Sequence, residues 1–392
     1  MRTAVIVSGA RTPIGKMNGS LAKFSATDLG GIVIKEAVSR SGLSPSDIEY
    51  AILGQSLQAG AGQGPARQAA IKGGLPMNIP AILINKVCLS GINAIALADQ
   101  LIRVGEFDVV LAGGMESMTH SPHLLQNSRT GLKLGNAELT DSLIFDGLFC
   151  SLEQLSMGEA TDRYNQRFAI SREEQDVFAF ESHRRASQAQ SSGVFNQEII
   201  PLELKDKKGN VNIFSEDEGV RANTTMEGLA KLPPVFSDSG TITVGSSSQI
   251  SDGAAAVVIM LKEKAIELGL DWLCEIGAHA TVAGPDPSLH EQPSHAIVVA
   301  LGKEGISSAE LDFIEINEAF AAVGIASLKK LGLSNERVNI HGGAIALGHP
   351  LGMSGARLIL HIAYLLKNKK SGYGVAALCG GGGQGEALIL KR

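Results

Sequence analysis

The 392-residue sequence predicts an α/β protein of two similar halves, with a polar domain inserted in the first. Three observations predict it. Over residues 1–118, short β-branched runs alternate with amphipathic helical patterns, as βαβ units around a buried sheet do. The same alternation resumes near residue 249, and both stretches put reactive residues just after a strand. Between them, 119–248 is polar and rich in Ser, Gln and charge.

Taken in order, Thr3–Val7 reads as the first strand and Asp28–Ser41 as a helix, apolar at Leu29, Ile32, Val33, Ile34 and Val38. Tyr50–Leu53 and Ala81–Val87 read as strands. Gly91–Val104 is a helix with Ile92, Ile95, Leu97, Leu101 and Ile102 on one side. Asp108–Ala112 is a continuous apolar run of the parallel-strand kind. The inserted stretch carries a helix at Ser171–Gln190, little strand pattern, and the apolar anchors Phe178, Phe180 and Phe195. Then follow strands at Gly253–Met260, Leu311–Ile316, Gly374–Leu378 and Glu386–Leu390, and helices at Lys262–Leu268, Glu318–Lys330 and Ser354–Asn368. The expected division is 1–118 with 249–268, an insert at 119–248, and a second half at 269–392. Open α/β sheets bind ligands at strand C-termini, which is where both halves carry their reactive residues.

Composition narrows the function. Aromatics make up 4% and the net charge is -6, with no Lys/Arg run, which argues against nucleic acid as a partner. Four cysteines lack C-x-x-C spacing, so free thiols in a reducing compartment are expected, with no metal. The N-terminus reads as a strand and not as a signal peptide, and no run of 18 apolar residues predicts a membrane span. The C-terminus carries no peroxisomal address, so the expected location is cytoplasmic.

Two cysteines stand in chemical settings. Cys88, in Asn85-Lys86-Val87-Cys88-Leu89-Ser90-Gly91, sits where a β-like run turns into a helix. By itself it would be a small buried hydrophobe. At a helix start, however, N–H groups and the helix dipole favour a thiolate and can hold an oxyanion. Cys379 follows a β run and precedes four glycines, Gly380 to Gly383. That stretch satisfies G-x-G-x-x-G, but no helix follows it, so a dinucleotide site is rejected. His349, between Gly348 and Pro350 in a glycine-punctuated loop, is the natural base for a thiol. Asn317 follows a strand and could be a plain helix N-cap. His290 and His295 are five apart with Pro293 between them, which is not a helical zinc motif. Cys150 and Cys274 read as structural.

Taken together, the Cys88 segment, Gly9-Ala10-Arg11-Thr12-Pro13, Ala112-Gly113-Gly114-Met115-Glu116-Ser117-Met118, Asn317-Glu318-Ala319-Phe320, Gly348-His349-Pro350 and the Cys379 glycine loop resemble the thiolase family over nearly the whole chain. The resemblance implies two duplicated βαβαβαββ halves in a five-layer α-β-α-β-α sandwich with an inserted loop domain. It implies interconversion of two acetyl-CoA with acetoacetyl-CoA plus CoA, with Cys88 as nucleophile and His349 as its activator. Cys379 would be the acid/base and Asn317 would hold a water in one oxyanion hole, with the N–H groups of Cys88 and Gly381 forming the other. CoA would meet Leu148, Met157, Arg221, Phe236 and Ser248. CoA thioesters are substrates, no resident cofactor is implied, and residues 122–147 keep the length of a loop that joins a homotetramer, a dimer of dimers.

Three departures from the family's biosynthetic pattern bear on acyl chain length: Ser156 stands before Met157, Gly245-Ser246-Ser247-Ser248-Gln249 replaces Gly-Asn-Ala-Ser-Gly, and a pocket Met is replaced around Leu289-His290. The rival readings are a degradative 3-ketoacyl-CoA thiolase for longer or branched chains, a ketoacyl synthase, and a non-catalytic acyl- or lipid-binding relative. The second thiol, Cys379, separates the chain from Cys-His-His synthases. The presence of all three reactive side chains argues against the non-catalytic reading.

Overall fold

In the computed structural model, which describes residues 2–206 and 208–392, one large sheet runs through the molecule. Its main strands are β1 (Ala4–Arg11), β2 (Tyr50–Gly54), β3 (Ala81–Ile84), β4 (Val109–Ser117) and β5 (Ser251–Leu261), then β6 (Cys274–Ala283), β7 (Leu311–Ile316), β8 (Tyr373–Gly380) and β9 (Gln384–Lys391). The spatial order is β7-β8-β9-β6-β1-β5-β4-β2-β3. Each half repeats one scheme. A parallel pair (β2/β4, β7/β8) is followed by two antiparallel pairings (β4/β5 and β5/β1, β8/β9 and β9/β6). Among the described residues, strand pairing links the halves only at Val5 opposite Glu275 and Ile6 opposite Cys274.

The helices are α1 (Ala26–Ser41), α2 (Pro65–Lys72), α3 (Ser90–Val104), α4 (Met157–Asn165), α5 (Arg172–Ser191), α6 (Met226–Ala230), α7 (Lys262–Glu267), α8 (Gln292–Glu304), α9 (Ala321–Leu331), α10 (Ala344–Leu347) and α11 (Leu351–Lys369). Helix α1 starts on a capping box, with Ser25 and Asp28 each accepting the other's backbone N–H. Three apolar cores separate five layers. α1 and α2 cover one outer face, α8 and α9 the other, and α3 with α11 fills the space between the two halves. α11 is buried along most of its length because it packs against both halves.

Glycine makes the central crossing possible. A Cβ on Gly114 would stand 1.8 Å from the Gly352 carbonyl oxygen, and one on Gly91 would stand 2.7 Å from it. Backbone therefore meets backbone where α3, α11 and β4 cross. That contact brings the start of α3, beside Cys88, against the start of α11, beside His349.

The insert is clamped to the body by Arg11, which is wholly buried. Its guanidinium donates to Glu198 at 2.7 Å and to both oxygens of Asp217 at 2.7 and 2.9 Å. The other oxygen of Glu198 lies 2.9 Å from Nδ1 of His361 on α11.

Several sequence expectations shift. The run Ala81–Val87 is strand only to Ile84, because the Val87 N–H turns back to the Asn85 side chain at 3.1 Å. Helix α9 begins at Ala321 with Phe320 as its extended N-cap, so Asn317 is not the cap. The insert does contain strands, including the hairpin Leu202–Lys205 with Val211–Phe214. The apolar stretch Val87–Val104 is mostly α3, and its apolar side packs into the central core.

Candidate active site

Cys88 lies in a turn locked from several sides. Val87 takes φ 51°, an uncommon conformation for a β-branched residue. Its carbonyl accepts from the hydroxyls of Ser56 at 2.9 Å and Ser90 at 2.6 Å, and the Lys86 N–H donates to Ser90 Oγ at 2.8 Å. Lys86 also reaches Glu386 of β9 at 3.0 Å, tying the turn to the second half. The backbone N–H groups of Cys88 and Gly381 favour the Cys88 thiolate. They could equally hold an oxygen that carries negative charge. The helix start alone suggested a depressed thiol pKa. Burial instead pushes it up to about 12, aided by the nearby Glu116, and the two N–H groups only partly offset this.

His349 is buried, and burial with the nearby Arg357 lowers it to about 4, so the imidazole is neutral. Its Nδ1 lies 2.6 Å from Ser354 Oγ, whose hydroxyl donates to the Pro350 carbonyl at 2.9 Å. Ser354 therefore accepts from Nδ1–H, which leaves Nε2 as the unprotonated, accepting nitrogen. A neutral imidazole with an unprotonated Nε2 is the form a general base requires.

Asn317 is fully buried, and its amide nitrogen lies 3.3 Å from His349 Nε2. Its Oδ1 is buried without a protein donor. Buried polar atoms rarely stay unpaired, so this oxygen is suited to a donor from solvent or substrate.

Cys379 is the last residue but one of β8, opposite Gly385. The β8–β9 hairpin turns on Gly382 and Gly383, at φ 79° and 70°, conformations that favour glycine. This is the structural use of the four-glycine run. Burial, together with Cys88 close by, raises the Cys379 thiol far above its ordinary value.

Cys88, His349 and Cys379 converge on one cavity of about 60 Å³, lined also by Gly381, Leu289 and Leu351, and Asn317 meets it through His349. Of the residues assigned to CoA, Leu148, Met157 and Ser248 line it too. Phe236 stands one layer out, edge-on to the cavity residue Phe320 at 6.1 Å between ring centres. Arg221 is not brought to the cavity. It is exposed, and its backbone N–H donates to His183 at 3.2 Å. A larger cavity of about 510 Å³ shares Val87, Gly147, Met157 and Gly381 with the first, and Cys150 lines it as well. Among the described residues, no three His, Cys, Asp or Glu side chains group as a metal site.

Sequence reasoning missed Ser354, Leu351 and the framework role of Lys86 with Glu386. Ser354 was legible only as one position of a helix. Its partner His349 is five residues earlier, a pairing that needs the Pro350 turn.

A duplicated α/β sandwich with two thiols and a neutral histidine at one cavity defines a protein of thiolase type. The chain matches the family described as "Thiolase, N-terminal domain" over residues 4–263 and "Thiolase, C-terminal domain" over 270–392, and it belongs to the thiolase family. It is 58% identical over 391 residues to the probable acetyl-CoA acetyltransferase of Mycobacterium leprae, covering 100% of both chains. It is 44% identical over 393 residues to the acetyl-CoA acetyltransferase of Cupriavidus necator, again covering 100% of both. The crystal structure of the Bacillus anthracis acetyl-CoA acetyltransferase matches with a TM-score of 0.96 at 38% identity, covering 100% of this chain and 99% of that one.

Proposed function

We propose that the protein is an acetyl-CoA C-acetyltransferase that interconverts two acetyl-CoA with acetoacetyl-CoA and CoA through an acyl-cysteine at Cys88. The observation that carries this reading is the meeting of two thiols and an unprotonated Nε2 at one cavity of about 60 Å³.

The proton inventory follows from the three side chains. His349 Nε2 takes the Cys88 proton, and the thiolate attacks the acetyl-CoA carbonyl. The oxyanion sits on the N–H groups of Cys88 and Gly381. CoA leaves as thiolate and takes its proton from Cys379, which leaves that thiolate beside a charged imidazole. The Cys379 thiolate then removes a proton from the methyl carbon of the second acetyl-CoA. The enolate oxygen is held by His349 and, through a water, Asn317. The enolate carbon attacks the acetyl-cysteine, acetoacetyl-CoA departs, and Cys88 recovers its proton from His349. Because burial raises both thiols, neither loses its proton to bulk solvent readily, and the protons pass within the site.

Leu148, Met157, Ser248 and Phe236 would hold the pantetheine arm, and Arg221 the CoA phosphates. No resident cofactor is needed, since nucleophile, base and acid are all side chains. A homotetramer, a dimer of dimers, is expected; Leu132, Leu134 and Leu139 stand exposed on the 122–147 excursion, where a second subunit could cover them. Free thiols fit a cytoplasmic setting.

Mass spectrometry after mixing with acetyl-CoA alone tests the assignment. An acetyl adduct on Cys88 is expected; an adduct on Cys379, or none, overturns it. A series of 3-ketoacyl-CoA substrates should give kcat/KM highest for the four-carbon member.

A further inference from the structure

Glu116, on β4, is a fully buried acid outside the reacting set. One oxygen accepts the backbone N–H groups of Ser56 at 2.9 Å and Gly352 at 2.8 Å, and the other accepts that of Leu57 at 3.1 Å. Two of the donors lead to catalytic arms. Ser56 holds the Cys88 turn, since its hydroxyl donates to the Val87 carbonyl at 2.9 Å and its carbonyl accepts from Asn85 Nδ2 at 3.0 Å. Gly352 lies in the first turn of α11, three residues after His349, and the same turn carries Ser354, which orients the imidazole. The two arms belong to different halves of the molecule, and Glu116 binds backbone from both.

Taking the proposed acyl transfer at Cys88 as given, we propose that Glu116 is a positioning residue that sets the Cys88 turn of the first half against the His349 turn of the second. Three N–H donors converge on a carboxylate that has no cation among its partners. The first turn of α11 favours that negative charge. Reach matters as much as charge, because both oxygens are engaged and the donors come from two separate segments. A shorter side chain would lose one arm. An amide of equal length would turn an NH₂ toward N–H groups.

The charge gives a second signature. Burial raises the Glu116 carboxyl to about 7, so it is ionised in the alkaline range where Cys88 titrates, and its charge acts on Cys88. Removing that charge should let the thiol ionise at lower pH.

The test uses the full-length enzyme with Glu116→Gln and Glu116→Asp. Misplacement by about 1 Å can cost about 10²-fold in rate. Both variants should therefore lose kcat by about 10²-fold with KM changed less than about threefold. The pH profile of Cys88 alkylation by iodoacetamide should move to lower pH in Glu116→Gln but stay in place in Glu116→Asp. Alkylation requires no thiolase chemistry, so it reads the Glu116–Cys88 link even if the proposed reaction is wrong. Failure to acetylate Cys88 in the wild type would sink the function instead. Near-normal kcat in both variants, or an unmoved alkylation profile in Glu116→Gln, overturns the proposal. If both variants unfold, Ser56→Ala decides: it cuts the link to Val87 while leaving the Glu116 carboxylate in place. A folded Ser56→Ala enzyme with unchanged kcat also overturns it.

Discussion

Glu198→Gln should lower the thermal stability of the enzyme, and the loss should fade in acid. Glu198 joins the insert to both halves: one oxygen accepts from Arg11 of β1 and the other meets His361 of α11. Burial acts to raise its carboxyl, but His361 and Arg11 outweigh burial and hold it down at about 2, against an ordinary 4.5. At 1.36 kcal/mol per tenfold change in proton affinity, that pairing contributes about 3 kcal/mol at neutral pH. Glutamine keeps the shape and loses the charge, so it should forfeit most of this. Unfolding entropy of about 2.1 cal/mol/K per residue gives about 0.8 kcal/mol/K for 392 residues, hence a Tm lower by about 4 °C. The folded carboxyl is held below its unfolded value. The contribution is therefore complete above about pH 5 and is lost as pH falls toward 2, with less than half remaining near pH 3. Differential scanning calorimetry of both proteins, at one protein concentration and at pH 7 and pH 3, measures the gap. Equal Tm values at pH 7, or a gap that stays constant or widens at pH 3, would refute the reasoning.

Cys379→Ala should abolish condensation while leaving acetylation of Cys88 largely intact, because only the second step takes a proton from carbon; undiminished deuterium exchange at the acetyl-CoA methyl in this variant would remove Cys379 as the base. Asn317→Ala should lower kcat about 10²–10³-fold, the usual loss for one oxyanion donor, with little change in folded protein by circular dichroism. Arg221→Ala should raise KM for acetyl-CoA more than it lowers kcat, since the side chain stands away from the cavity; steady-state kinetics with equal losses in kcat and kcat/KM would place it in the chemistry instead.

The sequence by itself determined most of the elements and singled out the candidate reactive groups. Apolar periodicity marked α1 and α3, and continuous β-branched or small apolar runs marked β4 and β5, because burial on both faces leaves no alternation. Cys88, His349 and Cys379 were legible because thiols and imidazole are scarce and stood in turn-forming surroundings. Boundaries failed where side chains competed with the backbone: Asn85 cut β3 short, and α9 starts past Asn317 because Phe320 is extended. Only the tertiary structure decided the ionisation and orientation of these groups. The start of α3 suggested an acidified thiol at Cys88, yet burial against Glu116 raises it, since desolvation depends on neighbours distant in the chain. The tautomer of His349 depends on the Pro350 turn that brings Ser354 to its Nδ1. Glu116 joins segments at 56–57 and 352, and Arg11 joins segments at 198 and 217. Such contacts follow from chain topology and from glycine-lined backbone crossings, which no local pattern encodes.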